Sequence, residues 1–293
     1  MRTTVLTAFT LIAFAANSLL CRMALGGNLI DPVSFTAFRL ISGVAILLPI
    51  AHLSARRMAR PPQRRGSWGS GLALFAYAFA FSLAYLTLDT GMGALILFGA
   101  VQATMLAAGL RSGERPHPAQ WLGLAAALGG LAYLVSPGLA APDPLGALLM
   151  MVSGIAWGIY SLRGKGAGAP VLATAGNFTR AAPVASAVFV AAIATIDMDP
   201  AGVLLAVVSG AVTSGLGYVL WYMALEGLTT TRAAIVQLLV PVIAAFGGVV
   251  VLAETVTLRL VTASVLILGG VALAVLFRAR QAGAIPAPES DGA

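Results

Sequence analysis

Apolar residues run through this chain in blocks of about twenty, the length a helix needs to cross the roughly 30 Å hydrocarbon core of a bilayer. Ten such blocks occupy residues 3–24, 33–53, 68–88, 90–110, 118–136, 144–162, 170–195, 200–225, 229–251 and 257–278. Charges, prolines and glycine-rich turns punctuate them, as at Asp31-Pro32, Arg56 to Arg65, Arg111 to Pro118 and Ala141 to Pro144. The link around Asp89 to Gly93 is tight. Arg2 followed by an apolar run and Ala13-Phe14-Ala15 resembles a secretory signal, but the run continues to about Ala24 and predicts a retained first helix. Residues 281–293 are Pro, Ala and acid, the composition of a disordered tail.

Composition agrees with this pattern. Of 293 residues, 59% are hydrophobic and 9% charged, against about 25% charged in an ordinary soluble domain, so a water-soluble globule is excluded. The expected fold class is an all-α integral membrane protein of ten transmembrane helices. The net charge is +7, but the cations stand in short runs between apolar blocks instead of forming an aromatic-interleaved face, which argues against nucleic acid. They sort by side. With the N-terminus in the cytoplasm, Arg2, Arg56, Arg57, Arg60, Arg64, Arg65, Arg111, Arg115, Arg163, Lys165, Arg232, Arg278 and Arg280 fall inside; only Arg22 and Arg259 fall outside. Asp31, Asp89, Asp143, Asp197, Asp199 and Glu254 lie outside. The expected placement is therefore multi-pass in the cell (inner or plasma) membrane, with both termini cytoplasmic.

An offset of about 140 residues lays the chain on itself. Glu114 falls on Glu254, Ala94 on Ala234, Gly129-Gly130 on Gly269-Gly270 and Phe81 on Trp221; slightly different offsets place Pro32 on Pro170, Arg39 on Asn177, Phe14 on Trp157 and Arg22 on Lys165. Each half holds five blocks. An odd number inserts the halves with opposite topology, so residues 1–137 and 143–280 are expected to be inverted five-helix repeats, a recurring plan of secondary transporters with the substrate near the midplane.

The residues then resemble a family. A first helix ending in a basic residue (Phe14 to Arg22), Pro32 and Arg39 seven apart, an Ala-rich helix running from Ala94 to Glu114, and a following helix with paired Gly look like the EamA half of the drug/metabolite transporter superfamily. The second copy reads Ala156-Trp157-Gly158-Ile159-Tyr160, then Thr231-Arg232-Ala233-Ala234, Pro241 and Glu254. The chain departs from the pattern at Val101, where the fourth helix often carries a Pro like Pro241. The resemblance implies export of amino acids, other metabolites or toxic compounds.

No Asp or Glu stands in the middle of any block. A carboxylate proton relay has no candidate there, which favours a facilitator or exchanger. Arg39 and Arg180 are the cations within blocks. Arg39 is a candidate site residue near enough to its outer end to snorkel instead, whereas Arg180 is about ten residues in, roughly 15 Å deep at 1.5 Å per residue. Arg180 is therefore expected either to bond backbone carbonyls or to face a water-filled cavity, where it could pair with a substrate carboxylate. Asn17, Asn177, Gln102 and Gln237 add polarity within blocks; helix–helix hydrogen bonding is the alternative role for each. Trp68 and Trp121 stand at block ends as interfacial residues. Tyr77, Phe81, Tyr85, Trp157, Tyr160, Tyr218, Trp221 and Tyr222 lie deeper, as an apolar cavity wall or as packing. Pro183 and Pro241 predict kinks.

Enzymatic readings lack residues. His52 and His117 lie at block ends, Gly164 to Gly168 has no phosphate-cradling spacing, and Cys21 is a lone cysteine. No cofactor or metal is implied. The expected function is secondary transport exporting amino acids, aromatic or hydrophobic ones included, or related metabolites by alternating access. Its alternatives are a multidrug exporter of the same family and, from other classes, an intramembrane enzyme or a non-transporting subunit. The partners are a small-molecule substrate and the lipid bilayer, as a monomer or dimer.

Overall fold

The computed structural model describes residues 2–58, 66–111, 118–136, 138, 141–164, 169–228 and 236–283. Ten helices are present among them: α1 Arg2–Gly26, α2 Pro32–Arg56, α3 Trp68–Ala84, α4 Thr90–Arg111, α5 Pro118–Val135, α6 Pro144–Gly164, α7 Pro170–Ala191, α8 Pro200–Glu226, α9 Leu239–Leu252 and α10 Leu258–Gly283. Four of these, α1, α2, α6 and α8, are long and apolar enough to cross a membrane on length and composition, and shorter apolar helical stretches stand in α3, α4, α5, α9 and α10. The chain is thus an all-helical membrane protein.

Local chemistry sets the helix starts. Asp31 caps α2 by accepting from the Val33 and Ser34 amides, Asp199 caps α8 through the Ala201 amide, and Ser67 caps α3 through the Ser70 amide. Proline fills the first position of α2, α7 and α8, where its missing N–H costs no hydrogen bond. Pro183 lies inside α7, but Pro241 falls in the first turn of α9 and breaks no ladder. α4 runs unbroken through Val101. α3 stops at Ala84, short of the expected 88, and α10 continues to Gly283, past the expected start of the tail. α8 contains an unforeseen feature: between α-helical ends, Ser209–Leu216 is wound as a π-helix. Glu114, Lys165, Thr231 to Ala234 and 284–293 lie outside the described residues.

Packing follows a rule of five. α3 packs on α6 as α8 packs on α1; α4 packs on α6 as α9 packs on α1; α3 packs on α7 as α8 packs on α2. α2 with α7, α4 with α9, and α5 with α10 are the pairs that exchange into themselves. One continuous apolar core joins the helices. Large apolar side chains such as Phe9, Leu148, Phe246 and Leu258 stand exposed on the outer surface, an arrangement suited to lipid.

The acid-bearing end is tied across the two halves. The α1–α2 link meets the α7–α8 link in an Ile30–Met198 antiparallel bridge, with the Asp31 amide donating to the Asp197 carbonyl at 2.9 Å and the Asp199 amide to the Leu29 carbonyl at 2.7 Å. Glu254, after α9, accepts from the Thr90 amide at 2.9 Å and 3.0 Å and from the Thr90 hydroxyl at 2.9 Å, and lies 3.6 Å from the Arg22 guanidinium. Arg22 in turn reaches Asp89 at 3.4 Å.

Candidate substrate site

The fold brings polar side chains of both halves to one buried point. α2 contributes Arg39, only 1% exposed and among the largest fully buried side chains. Its Nε donates to Ser214 Oγ at 3.0 Å, and its Nη2 donates to the hydroxyls of Tyr77 at 3.1 Å and Tyr218 at 2.9 Å. The guanidinium carbon lies 5.2 Å and 5.1 Å from the ring centroids of Tyr77 and Phe81. Burying a charge costs several kcal/mol, offset here by charge-assisted hydrogen bonds of about 1.5–3 kcal/mol each and by the aromatic faces. The compensation is incomplete. Nη1 has no hydrogen-bond partner, and among the described residues no carboxylate lies within salt-bridge distance of Arg39.

Asn17 of α1 completes the polar knot. Its Nδ2 donates to the Tyr77 hydroxyl at 3.2 Å, while its Oδ1 accepts from Ser209, Thr213 and Ser214 at 2.8, 3.2 and 3.3 Å. The wider π-turn of α8 carries these hydroxyls. A π-turn inside an α-helix often marks a functional site.

Aromatic rings surround the knot. Tyr77 and Phe81 on one face of α3, and Tyr85 at its C-cap, follow one another at four-residue spacing. From Tyr85 the rings continue through Phe81 (4.7 Å), Tyr77 (5.4 Å), Trp157 (4.9 Å) and Tyr160 (5.4 Å) to Tyr222 (6.0 Å). At the centre is a cavity of about 10 Å³, bounded by Phe14, Asn17, Tyr77, Phe81, Trp157 and Tyr218 together with Ser18, Leu97 and Phe98, room for one water-sized group. The buried Nε1 of Trp157 also lacks a partner. It and Arg39 Nη1 are each a buried donor that an acceptor would satisfy. A larger groove of about 470 Å³ lies between α4, α5 and α6 with Arg111 in its lining, but its walls are chiefly Ala, Ile, Leu and Met, without converging polar groups.

Of the expected site residues, Asn17, Arg39, Tyr77, Phe81, Trp157 and Tyr218 converge here. Tyr160 continues the wall toward Tyr222, and Trp221 packs its ring 5.7 Å from Phe14. The order expected of the two arginines is reversed. Arg180 is half-buried and donates to the Gly176 carbonyl of its own helix at 2.8 Å, whereas Arg39 is buried at the centre and does not snorkel. Tyr85 donates to the Thr90 carbonyl at 3.2 Å, and Asn177 Oδ1 accepts from the Ser67 amide at 3.0 Å, so both tie helix ends. Gln237 is buried next to α9 but does not line the cavity. Phe14, Ser18, Leu97, Phe98, Ser209, Thr213 and Ser214 were not singled out as site residues. Phe14 carries a signal in the sequence through its alignment with Trp157 and as the start of the first-helix motif.

A lipid-facing helical bundle closed around a two-sided polar and aromatic centre is the make-up of a membrane transporter. The profile of the EamA-like transporter family matches residues 2–136 and again 144–276. The chain belongs to that family. It is 52% identical over 272 residues to an uncharacterised protein of Pseudomonas aeruginosa, covering 93% of this chain and 94% of that one. The threonine/homoserine exporter RhtA of Salmonella typhimurium is 30% identical over 237 residues, covering 78% and 77% of the two chains, and that of Escherichia coli K12 is 29% identical over the same length. A solved structure, described simply as a crystal structure of a protein, shares the fold with a TM-score of 0.65 at 20% identity over 98% of this chain and 99% of its own. The family and its named relatives are transporters, not enzymes.

Proposed function

We propose that this protein is a secondary transporter that exports amino acids, aromatic and hydrophobic ones included, or closely related metabolites across the cell membrane by alternating access. The observation that carries the reading is the buried Arg39 guanidinium, which lacks a partner for Nη1 and a carboxylate to neutralise it among the described residues. A substrate carboxylate supplies both. The aromatic walls take the side chain, and the exporter relatives, one of them named for threonine and homoserine, support the substrate class.

The architecture proposed is ten spans in two inverted repeats, 1–137 and 143–280, with both termini cytoplasmic. The rule-of-five packing supports it. So does the basic bias of the segments carrying Arg56, Arg111 and Arg163. A centre with room for one water-sized group admits substrate only when the halves part at one end. With every described Asp and Glu at a helix end or in a link, no carboxylate relay spans the interior, and the mechanism is a facilitator or exchanger.

Proteoliposome flux of labelled leucine and threonine tests this. Transport should proceed down a substrate gradient without an imposed proton or sodium gradient. In protein that elutes as a folded species, Arg39→Gln should weaken apparent affinity roughly ten- to a hundredfold, the loss of a charge-assisted hydrogen bond, and Arg180→Gln should stay near wild type. Normal transport by Arg39→Gln, or strict dependence on either ion, would overturn the reading.

A further inference from the structure

An amino acid has two charged ends, and Arg39 accounts for one of them. The cavity has no Asp or Glu in its described lining, so the ammonium group has no ion-pair partner there. Asn17 Oδ1 is already engaged by three hydroxyls. Besides the neutral Ser18, Tyr77 and Tyr218 hydroxyls, the lining offers a cation π-surface.

Phe14, Trp157 and Tyr218 meet at a corner of the cavity. Their centroids are separated by 5.5 Å (Phe14–Trp157), 5.8 Å (Phe14–Tyr218) and 4.7 Å (Trp157–Tyr218), with interplanar angles of 86°, 76° and 55°. All three rings line this corner of the cavity, and the negative potential of an aromatic face attracts a cation. The second aromatic pair is already claimed, because Arg39 lies over Tyr77 and Phe81. The fixed cation and a mobile one thus have separate rings. Tyr218 joins the two subsites: its hydroxyl receives Arg39 Nη2 at 2.9 Å while its ring forms one wall of the corner. Tyr218 thus places the two subsites on one side chain, as a carboxylate and an ammonium stand on one α-carbon. The space at the centre, about 10 Å³, is also the size of an ammonium group.

We infer that the Phe14–Trp157–Tyr218 corner is the ammonium subsite, so that the centre selects zwitterions over simple carboxylates and simple amines. The inference rests on the amino-acid reading above. A lone carboxylate keeps Arg39 but leaves the corner unused. A lone amine meets the positive field of Arg39 with no anion of its own to offset it.

Three probes of one carbon skeleton separate these cases: leucine, 4-methylpentanoate (no ammonium) and 3-methylbutylamine (no carboxylate). Apparent affinities come from thermal stabilisation of the purified full-length protein. Leucine should bind roughly three- to thirtyfold tighter than 4-methylpentanoate, the range of a desolvated cation–π contact, and the amine should not register. Phe14→Leu and Trp157→Leu should bring the leucine-to-carboxylate ratio toward one while 4-methylpentanoate still binds; Phe14→Tyr, which keeps a ring, should preserve it. Equal binding of leucine and 4-methylpentanoate, both lost in Arg39→Gln, overturns the ammonium subsite and leaves the carboxylate reading standing. An amine that binds as well as leucine overturns it too. If none of the three binds, the amino-acid reading falls and takes the subsite with it.

Discussion

Glu254 reaches the first turn of α4 because of two backbone details. Ala253 ends α9 in the left-handed region at φ 54°, uncommon for a residue with a Cβ, and turns the chain back so that the Glu254 amide donates to the Gly248 carbonyl at 3.1 Å. The carboxylate then passes over Gly248, where any Cβ would overlap Glu254 Oε2. Its reward is the unsatisfied N–H at the start of α4, where a negative charge also meets the positive end of the helix dipole. Gly248→Ala should therefore displace the carboxylate and cost about 1–3 kcal/mol. Glu254→Gln should cost less, since its amide oxygen still accepts from Thr90 while the pairing with Arg22 is lost. Thermal unfolding in detergent ranks the two; a Gly248→Ala protein as stable as wild type would refute this account of the turn.

Among helices, the decisive contact is α2 against the π-segment of α8. At Gly210 a Cβ would overlap the Arg39 carbonyl oxygen and the Ser42 hydroxyl, so the two backbones touch on the turn that carries Arg39. This approach delivers Ser214 and Tyr218 to the guanidinium; helices held apart by ordinary side chains, with axes 8–10 Å apart, would leave Arg39 short of them. Gly210→Ala is expected to destabilise by about 1–3 kcal/mol, by overpacking, and to reduce transport. Gly269→Ala is the control, because a Cβ there meets nothing within 4 Å and removing a helical glycine gains up to about 1 kcal/mol. Equal unfolding temperatures for the two variants would show that the helices are not in this register.

For the whole molecule, the testable quantity is sidedness. Arg56, Arg57 and Arg163 stand at one end of the bundle, and Asp31, Asp89, Asp143, Asp197, Asp199 and Glu254 at the other. Under the proposed topology, a cysteine placed at Asp143 or Asp197 should react with impermeant reagent only from outside, and one at Met58 only from inside. Cys21 is fully buried, so its replacement gives a clean background and needs a small residue such as Ala or Ser. The opposite labelling would invert the orientation and, with it, the direction of export.

Much of this was legible from the chain alone. Block length and composition are local properties, and in lipid the backbone has little choice but to close its hydrogen bonds within a helix; hence, among the described residues, ten helices stand close to where the ten apolar blocks do. Chemical type was legible as well: Tyr77, Phe81, Trp157 and Tyr218 of the cavity wall are aromatics already visible as deep, and the cation bonded to Tyr77 and Tyr218 is one of two arginines. What the chain could not rank was those two arginines. Distance from a segment end measures depth along one helix, but burial depends on what packs alongside. Arg180 looks deeper by count, yet its side chain turns back onto its own helix. Arg39 is enclosed because Tyr77 of α3, and Ser214 and Tyr218 of α8, close over it. The same holds for Ser209, Thr213 and Ser214, small hydroxyls with no distinguishing local signal until a π-turn aims them at Asn17. Which residues are apolar is written in the order of the chain; which polar group loses its water is decided by contacts between helices distant in sequence, and only the packed bundle holds those.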